Sequence, residues 1–426
     1  MRILLLGAGG FIGRHILAEL IAQGHAVTAV VRRPGGLDDA FPEATIVRLD
    51  LARATDPADW APLVQDADVV VNAAGVLRGR AMEAVHVDMP HALHAAAATA
   101  GVRRIVLISA ISARDDVATD YARSKLAGER ALREAGVEWT ILRPSLVYGD
   151  GSYGGTSLLR GLAGLPWRVP LPGTGDFAFT PIHVRDLARA VRLACEDAGL
   201  AGRTLEPVGP ETLSLRNLLE RYRRWLGFGA ARFVRVPMPV MRMLGRLGDV
   251  AGDGPIASNS LAQLVAGNAG DSAVFADAIG FRPRSLAEAL RDRPAQVQDR
   301  WHARLFFVAP LTRAVLVLLW LASALLGLTH GVAPTAELLG ALGLPQDWAD
   351  PLRIGSSLLD LGIAALVLLD RRARVATVAQ LAVIASYTLV IGMALPHLWT
   401  DPLGPLLKNL PILALVLVHG AIGDNR

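Results

Sequence analysis

The sequence has very little cysteine, few aromatic residues and a modest share of charge. Only one of its 426 residues is a cysteine, Cys195, which excludes a disulfide within the chain and a cysteine-based metal cluster, so no metal site is predicted. Charged residues form 19% of the chain, and the net charge of +4 comes from scattered arginines. Because no basic block or RNA- or DNA-binding motif is present, nucleic acid is not an expected partner.

Hydrophobic residues, by contrast, form 52% of the sequence, and the mean hydropathy is +0.38. The excess lies after residue 305, in four apolar segments at 314–328, 354–369, 375–395 and 406–422. A helix that crosses a membrane needs about 20 apolar residues. We therefore predict four membrane-spanning helices, with flanking residues completing the shorter ones. The alternative for the first two segments is a pair of apolar core helices in a soluble bundle.

A glycine-rich turn separates the first predicted strand, 3–6, from the first predicted helix, 14–23. Gly7 permits a tight turn, Gly10 lets backbone N–H groups approach a pyrophosphate, and Gly13 lets the helix pack closely on the strand. The pattern predicts a dinucleotide site, with a purely structural turn as the alternative. The predicted contacts are Gly7, Gly9, Gly10, Phe11, Ile12 and Gly13.

The second predicted strand, 26–31, ends in Arg32 and Arg33 rather than in an acidic residue. An Asp or Glu here would accept the ribose 2′-OH of NAD, whereas guanidinium groups suit the 2′-phosphate of NADP. We therefore favour NADP(H) as the cofactor, with NAD(H) as the alternative. If the arginines bind no cofactor, they are surface charges beside a turn. The ends of the next strands supply further expected cofactor contacts, which are Asp50, Leu51, Asn72, Ala73, Ala74 and Gly75.

A tyrosine and a lysine lie four residues apart after the fifth predicted strand, 104–108. Tyr121 and Lys125 fall in a helical pattern and share one face. An ammonium group near a phenol favours the phenolate, so we expect the pKa of Tyr121 to fall from about 10 toward neutral pH. Such a tyrosine can exchange a proton with a substrate. Ser109 and Ser112, at the end of the same strand, are the candidate hydroxyls beside it.

These motifs, together with Arg143-Pro144-Ser145 and Val147-Tyr148-Gly149, resemble the short-chain dehydrogenase/reductase superfamily. The arrangement is most similar to its extended and atypical branches, which include sugar-nucleotide epimerases and the NADPH-binding accessory subunit of respiratory complex I. The resemblance implies that Tyr121 is the general acid/base and that Lys125 also holds the nicotinamide ribose. It further implies a cofactor contact at Pro144 and a serine that polarises the substrate carbonyl.

The carbonyl-polarising hydroxyl is the point where this sequence departs from the family. Its usual position falls on or beside Ala110, which leaves Ser109 or Ser112 to substitute. The interval to Tyr121 is also shorter than in the sugar-nucleotide enzymes. Both departures favour an atypical member over an epimerase, and a member with reduced catalysis stays open.

The expected fold class is α/β, with a Rossmann-type doubly wound parallel sheet and a small substrate lobe, followed by a four-helix transmembrane bundle. We expect the nucleotide-binding domain at 1–300, with its lobe mainly at 151–183 and 203–293, and the membrane domain at 301–426. The last region resembles the DoxX-like membrane domain. Its closest match runs through Trp399, Asp401, Pro402, Gly404, Lys408 and Asn409.

The distribution of arginines predicts the orientation in the membrane. Positive residues favour the cytoplasmic side, and they precede the first span and join the second to the third. They are Arg304, Arg313, Arg371, Arg372 and Arg374. We expect both termini in the cytoplasm and, since the chain opens on a strand that the fold needs, no cleavable signal peptide. The expected location is the inner (cytoplasmic) membrane, with the nucleotide-binding domain in the cytoplasm.

Two further residues are candidates for function. Asp360 falls in the middle of the second span, where an unpaired carboxylate is costly, so Lys408 or His419 is a candidate partner. The alternative is a carboxyl group hydrogen-bonded to a neighbouring helix. His183 either faces the cleft or satisfies nearby backbone, and the second interpretation is favoured.

The sequence therefore predicts a membrane-tethered NADP(H)-dependent oxidoreductase that transfers hydride to or from a carbonyl or alcohol. The expected partners are a small-molecule substrate, with a lipid-soluble one favoured by the topology, and membrane lipids. A non-catalytic NADPH-binding module of a membrane complex is the alternative from another class. An epimerase or dehydratase with a tightly held cofactor is the third, and pairing with a second copy stays open.

Overall fold

The computed structural model describes residues 1–251, 257–370, 372–402 and 404–423. It has two compact units, Met1–Ala303 and Arg304–Arg426. The strands are β1 Arg2–Leu6, β2 Ala26–Val31, β3 Thr45–Arg48, β4 Val69–Asn72, β5 Arg104–Ile108, β6 Glu138–Leu142, β7 Val147–Tyr148, β8 Arg168–Pro172, β9 Ala178–Phe179, β10 Ile182–His183, β11 Arg203–Leu205, β12 Leu213–Ser214 and β13 Arg232–Val236.

The helices of the first unit are α1 Phe11–Ala22, α2 Leu37–Ala40, α3 Pro57–Val64, α4 Met89–Ala100, α5 Asp120–Arg133, α6 Gly155–Gly164, α7 Val184–Glu196, α8 Leu215–Trp225, α9 Met238–Ala251, α10 Ser258–Ala266, α11 Ser272–Ile279 and α12 Leu286–Asp292. They are followed by α13 Val297–Thr329, α14 Ala333–Ala341, α15 Ala349–Leu369, α16 Arg374–Ala394 and α17 Asn409–Ile422. A π-helical segment occupies Ala84–Asp88, and 3₁₀ turns occupy Ala198–Leu200, Gln346–Trp348 and Pro396–Trp399.

Seven parallel strands form the main sheet, in the order β11-β6-β5-β4-β1-β2-β3. The chain builds outwards from β1 to β3 and then crosses back to β4, so the strand order reverses between β1 and β4. In open α/β sheets, ligands bind at such a switch point, outside the carboxyl ends of the strands. The predicted doubly wound parallel sheet is confirmed.

Helices cover both faces of this sheet. Ile3 and Leu5 of β1 join an apolar cluster with α1 and α7, whereas Leu4 and Leu6 join a second cluster with α3, α4 and α5. Because a strand buried on both faces needs apolar residues at every position, β1 is a continuous apolar run in the sequence.

The structure departs from the sequence-based elements in three places. Helix α1 begins at Phe11 rather than at residue 14, because the glycine turn itself forms the first helical turn. The sequence pattern predicts one helix over 86–100, but the chain is π-helical over Ala84–Asp88 before α4 begins. Pro90, which has no N–H to donate to the His86 carbonyl, explains the interruption. Strand β11, expected in the substrate lobe, is instead the edge strand of the main sheet.

A smaller lobe is assembled from three two-stranded sheets, β7 with β10, β8 with β13 and β9 with β12. Helices α6 and α8 pack on these strands around a separate apolar cluster that includes Leu171, Phe179, Leu218 and Tyr222. The chain therefore enters the lobe after β6, which is where the extended members of the resembling family turn toward their substrate.

The second unit consists of apolar helices around a small core of Leu316, Trp320, Val367 and Val416. Three helical stretches have the length and composition to cross a membrane, Val297–Thr329, Gln346–Leu369 and Arg374–Ala394. The fourth predicted span is the shorter α17, whose 14 residues extend about 21 Å, less than the roughly 30 Å of a hydrocarbon core. Three of the four predicted spans are therefore full-length helices in the described part of the chain, and the fourth stays a prediction. Arg371 lies outside that part.

Candidate active site

The turn after β1 depends on two glycines. Gly7 has a φ of 77°, and a Cβ atom placed on it would lie 2.8 Å from the carbonyl oxygen of Ala73. A Cβ atom on Gly13 would lie 2.1 Å from the carbonyl oxygen of Gly7, so α1 packs directly on the turn. Helix α1 begins after Gly10, which has no side chain to cap the first free amides. This cradle fits a dinucleotide pyrophosphate.

The far end of the turn carries positive charge. Arg32 and Arg33, which follow β2, are exposed. Arg14, in the first turns of α1, was missed by the sequence reasoning: its Nε atom is buried and makes no hydrogen bond to the described residues. A Cβ atom on Gly35 would lie 3.8 Å from its guanidinium. An unpaired donor beside a glycine loop suits an anion such as a 2′-phosphate.

The predicted adenine contacts are set by local structure. Asp50 accepts a hydrogen bond from the backbone N–H of Ala52, at 3.2 Å, so its carboxylate closes a turn after β3. Leu51 packs against the cluster that covers one face of the sheet. Asp50 remains half-buried, and its second oxygen forms an ion pair with the Nε of Arg53, at 3.9 Å.

The end of β4 forms the floor between the turn and the tyrosine–lysine pair. The side-chain oxygen of Asn72 accepts from the N–H of Ala74, at 3.1 Å, which fixes the small-residue segment that follows. A Cβ atom on Gly75 would lie 3.2 Å from Lys125 Nζ and 3.6 Å from His86 Nε2. The lack of a side chain at Gly75 therefore lets Lys125 and His86 pack against its backbone.

Tyr121 and Lys125 lie in the first turns of α5, which begins after Thr119. The Thr119 hydroxyl accepts from the N–H of Ala122, at 3.1 Å, and so fixes where the helix starts. Lys125 Nζ lies 6.0 Å from the centroid of the Tyr121 ring and donates to the carbonyl oxygen of Ile108, at 3.1 Å. The lysine thereby ties α5 to the carboxyl end of β5, at the edge where the family binds its cofactor.

The expectation for the acidity of Tyr121 was wrong. Burial raises the pKa of its phenol to about 12, because desolvation disfavours the phenolate. Burial also lowers the pKa of the Lys125 ammonium to about 8, opposed by the nearby Glu129 carboxylate. In the protein without ligands, Tyr121 is therefore a proton donor held in its neutral form.

Ser109 does not face the tyrosine as expected. Its hydroxyl donates a 2.6 Å hydrogen bond to the carboxylate of Glu129, which is fully buried. Arg143 donates to both oxygens of the same carboxylate, at 2.8 and 2.6 Å, and Arg133 donates to one of them at 3.1 Å. The hydroxyl thus belongs to a buried ionic network centred on Glu129, one helical turn after Lys125 on α5.

The loop after β5 holds Ser112 and contacts Pro144, which follows β6. Ser112 is buried within it. The carbonyl oxygen of Pro144 accepts from the N–H of Ile111, at 3.0 Å, which joins this loop to the end of β6. The role of Ser112 toward a substrate stays a prediction.

His86 is a site residue that the sequence reasoning missed. Its ring packs edge-on against Tyr121, with the centroids 5.7 Å apart, and its Nδ1 lies 2.9 Å from the Ser124 hydroxyl. Nε2 accepts from the N–H of Val76, at 3.1 Å, so the proton is assigned to Nδ1. Burial and the charge of Lys125 lower the pKa of His86 to about 3. The signal in the sequence that could have drawn attention to His86 was Pro90, which lies just after the π-helical segment.

His183 satisfies backbone, as favoured. Its Nδ1 accepts from the N–H of Arg185, at 3.3 Å, at the start of α7. It also borders a charged pocket of about 250 Å³ in the lobe, which is lined by Asp150, His183, Arg185, Arg284, Ala289, Asp292 and Arg293. In the described part of the chain, no group of three or more His, Cys, Asp or Glu residues is placed to hold a metal ion.

In the second unit, the partners proposed for Asp360 were wrong. Its carboxylate accepts from the Ser323 hydroxyl of α13, at 2.6 Å, and from the Tyr387 hydroxyl of α16, at 3.4 Å. Neither Lys408 nor His419 contacts it. The alternative of hydrogen bonds to neighbouring helices is confirmed.

Known proteins and families share this architecture. An NAD(P)H-binding family matches residues 7–162, and a DoxX-like family matches residues 317–417. A ceramide reductase of Caulobacter vibrioides is 31% identical over 255 residues, which cover 58% of this chain and 76% of the relative. Subunit 9 of the mitochondrial NADH dehydrogenase 1 alpha subcomplex of Arabidopsis thaliana is 28% identical over 56% of this chain, which spans 61% of that subunit.

Two solved structures share the fold. A UDP-glucose 4-epimerase from Thermotoga maritima superposes with a TM-score of 0.53 at 20% identity, over 68% of this chain and 96% of the epimerase. A putative epimerase from Burkholderia cenocepacia gives 0.54 at 24% identity, over 68% and 95%. At such identities the likeness shows the fold alone. With the family matches and the reductase relative, the chain belongs to the NAD(P)-binding, epimerase-like short-chain dehydrogenases/reductases and carries a C-terminal DoxX-like membrane domain.

Proposed function

We propose that this protein is a membrane-tethered NADP(H)-dependent oxidoreductase that interconverts a carbonyl and an alcohol on a lipid-soluble substrate. The main observation that supports this proposal is the placement of Tyr121 and Lys125. Lys125 Nζ, 6.0 Å from the centroid of the phenol ring, is hydrogen-bonded to the end of β5 and packs against Gly75 after β4. A proton donor and a cation at the cofactor edge of the sheet are what carbonyl reduction requires of the protein.

Each residue has a defined task in this proposal. The bound dinucleotide supplies the hydride to the carbonyl carbon. The Tyr121 hydroxyl donates its proton to the carbonyl oxygen, and Lys125 stabilises the phenolate that remains. Neutral His86 packs on the tyrosine ring and fixes its orientation through the contact with Ser124. Ser112 holds the substrate oxygen, whereas Ser109 is committed to Glu129.

We favour NADP(H) over NAD(H) because three arginines lie around the adenosine end of the turn. Arg32 and Arg33 follow β2, where an acidic residue would select NAD. The buried and unpaired Nε of Arg14 supports the same choice, because a 2′-phosphate would give it an acceptor.

The lipid-soluble substrate is supported by the membrane domain and by the reductase relative, which is named for a lipid, ceramide. We propose the domain limits 1–300 and 301–426, with the membrane domain in the inner membrane. Arg313 donates to the carbonyl oxygen of Val367, at 2.9 Å, near the end of α15. Since Arg372 and Arg374 follow that helix, one end of the second unit collects positive charge, which supports its cytoplasmic placement.

Deuterium transfer from 4-deuterated NADPH tests this proposal. The full-length protein in lipid discs would be given both C4 stereoisomers and long-chain lipids that carry a ketone. We expect deuterium to move from one stereoisomer to the carbinol carbon of the lipid product, and Tyr121→Phe to abolish the transfer. Turnover of soluble sugar nucleotides with no transfer to lipid would contradict the substrate class.

A second candidate is a non-catalytic NADPH-binding module in a membrane complex. The raised pKa of Tyr121 and the engagement of Ser109 by Glu129 favour it, as do the relatives that are subunits of NADH dehydrogenase. NADPH that binds but keeps its deuterium in the same assay would support this function. An epimerase or dehydratase would convert its substrate with no net consumption of NADPH.

A further inference from the structure

Helix α9 presents an apolar stripe to the outside of the first unit. Val240, Met243, Leu244 and Leu247 recur at the i, i+3, i+4, i+7 spacing of one helical face. In an ordinary surface helix this face is buried against the core, yet these four side chains are between 40% and 59% exposed. The stripe is thus directed away from the lobe that carries it.

Contacts on the side of α9 opposite to the stripe fix the rotation of the helix about its own axis. A Cβ atom on Gly245 would lie 3.2 Å from the backbone of Ser258, so α9 and α10 pack closely at that point. The Asp249 carboxylate accepts from the N–H of Ser258, at 3.0 Å, and joins the same two helices. Met238, at the start of α9, lies 3.7 Å from the Cβ position of Gly173. These contacts prevent the helix from turning its stripe inward.

Positive charge lies on the polar side of α9. Arg242 and Arg246, one helical turn apart, are exposed and lie outside the apolar stripe. A helix with an apolar face flanked by arginines binds in the plane of a membrane interface, where the apolar side chains enter the acyl boundary and the guanidinium groups meet anionic headgroups. We propose that α9 is such an interfacial helix, and that it holds the first unit against an anionic lipid surface.

A lipid surface fits this stripe better than a protein partner. Four side chains on a 14-residue helix offer a few hundred Å² at most, whereas a stable protein interface buries about 800 Å² on each partner. The DoxX-like domain of the same chain belongs to a membrane, so lipid is present at high local concentration. A patch too small to hold a dimer together is then sufficient, because the membrane domain of the same chain already keeps the protein at the lipid surface.

The position of α9 and α10 gives this contact a consequence for the cleft. Arg114, two residues after Ser112, donates to the carbonyl oxygen of Ala266 at the end of α10, at 3.2 Å. A Cβ atom on Gly270 would lie 3.1 Å from the Ile111 side chain. The helix pair therefore borders the loop after β5, so an interfacial α9 brings that loop to the lipid. This consequence rests on the proposed function, whereas the lipid contact itself does not.

Spin-label accessibility in lipid discs tests the contact without using activity. Cys195 is fully buried and burial raises the pKa of its thiol to about 12, so introduced cysteines are labelled selectively. Nitroxides would be placed one at a time at Val240→Cys, Leu244→Cys and Leu247→Cys in the full-length protein. The matched control is Val274→Cys, which replaces an apolar residue of α11 that is 64% exposed.

We expect oxygen to collide with the α9 labels more often than a water-soluble nickel chelate does, and the reverse at position 274. The difference should be larger in discs that contain phosphatidylglycerol than in pure phosphatidylcholine, and Arg242→Gln with Arg246→Gln should reduce it by about a factor of two or more. NADPH binding serves as the check that each variant is folded. Nickel accessibility at α9 equal to that at position 274 would overturn the proposal, as would dipolar broadening between labels on two copies.

Discussion

The Ser109 hydroxyl donates a 2.6 Å hydrogen bond to the buried carboxylate of Glu129, which lies one helical turn after Lys125 on α5. The same carboxylate accepts hydrogen bonds from the Nε and Nη2 atoms of Arg143, and these bonds hold the pKa of the guanidinium above its usual range. Ser109, which directly follows β5, therefore anchors α5 to the sheet.

Removing the charge of Glu129 should destabilise the protein strongly. Glu129→Gln leaves Arg143 and Arg133 beside a neutral amide in a buried position, and breaking a buried pair on one side costs about 3 to 5 kcal/mol. We expect the thermal midpoint of the purified protein in detergent to fall by roughly 6 °C or more. Glu134→Gln, an exposed position at the end of the same helix, should change the free energy of unfolding by no more than about 0.5 kcal/mol. Equal midpoints for the two variants would refute the network.

Ser109→Ala and Tyr121→Phe should separate stability from chemistry. The first leaves a charged acceptor short of one donor, which costs about 1 to 3 kcal/mol of stability, but should slow hydride transfer by less than about tenfold. The second removes the proton donor and should slow transfer by about 10² to 10⁴, with a thermal midpoint close to that of the unaltered protein. Single-turnover deuterium transfer and thermal unfolding measure the two effects. If Ser109→Ala were as slow as Tyr121→Phe, Ser109 would touch the substrate after all.

The sequence alone predicted the elements whose structure follows from local patterns of apolar residues. The parallel strands and the common helical face of Tyr121 and Lys125 follow from apolar runs and from spacing within a few residues. Strand β11 was missed because three residues carry no readable periodicity, and its place at the edge comes from pairing with β6. The interruption before α4 follows from Pro90, whose effect depends on a carbonyl four residues earlier.

The surroundings of the site residues could not be predicted from the sequence. The pKa of Tyr121 was predicted from its neighbour Lys125, but burial, which depends on the whole fold, outweighs that charge. The role of Ser109 depends on Glu129, 20 residues away, and on arginines from α5 and the end of β6. A buried network of this kind joins residues that no spacing rule connects.

His86 should make the protein less stable in mild acid. Its pKa is about 3 in the folded protein, against 6.5 when unfolded. Between these values the unfolded chain binds a proton that the folded protein does not, so this stability is complete above pH 6.5 and is lost as the pH falls. From pH 6.5 to 5 the loss is about 2 kcal/mol. Unfolding of His86→Gln, which keeps an acceptor for Val76 and a donor for Ser124, should lack this part of the pH dependence; identical profiles would show that the ring is protonated in the folded protein.

Arg14→Ala should weaken the binding of NADPH and spare NADH. A hydrogen bond to a charged group contributes about 1.5 to 3 kcal/mol, so the Kd for NADPH should rise roughly 10- to 100-fold, while that for NADH changes less than about twofold. Calorimetric titration measures both. Arg224→Ala, at an exposed position of α8 in the lobe, is the matched control and should leave both values unchanged. Tighter binding of NADH than of NADPH by the unaltered protein would contradict the choice of cofactor.

Gly13→Ala should damage the dinucleotide site through the backbone. Its new methyl group would lie 2.1 Å from the carbonyl oxygen of Gly7, and backbone on both sides must move to admit it. Overpacking of this kind costs about 1 to 3 kcal/mol, which corresponds to a roughly 5- to 150-fold rise in the Kd of NADPH, with NADH affected equally because both share the pyrophosphate. Gly155→Ala is the control, since a Cβ atom at the start of α6 meets nothing within 4 Å. Unchanged affinity for both dinucleotides in Gly13→Ala would mean that the pyrophosphate does not lie on this turn.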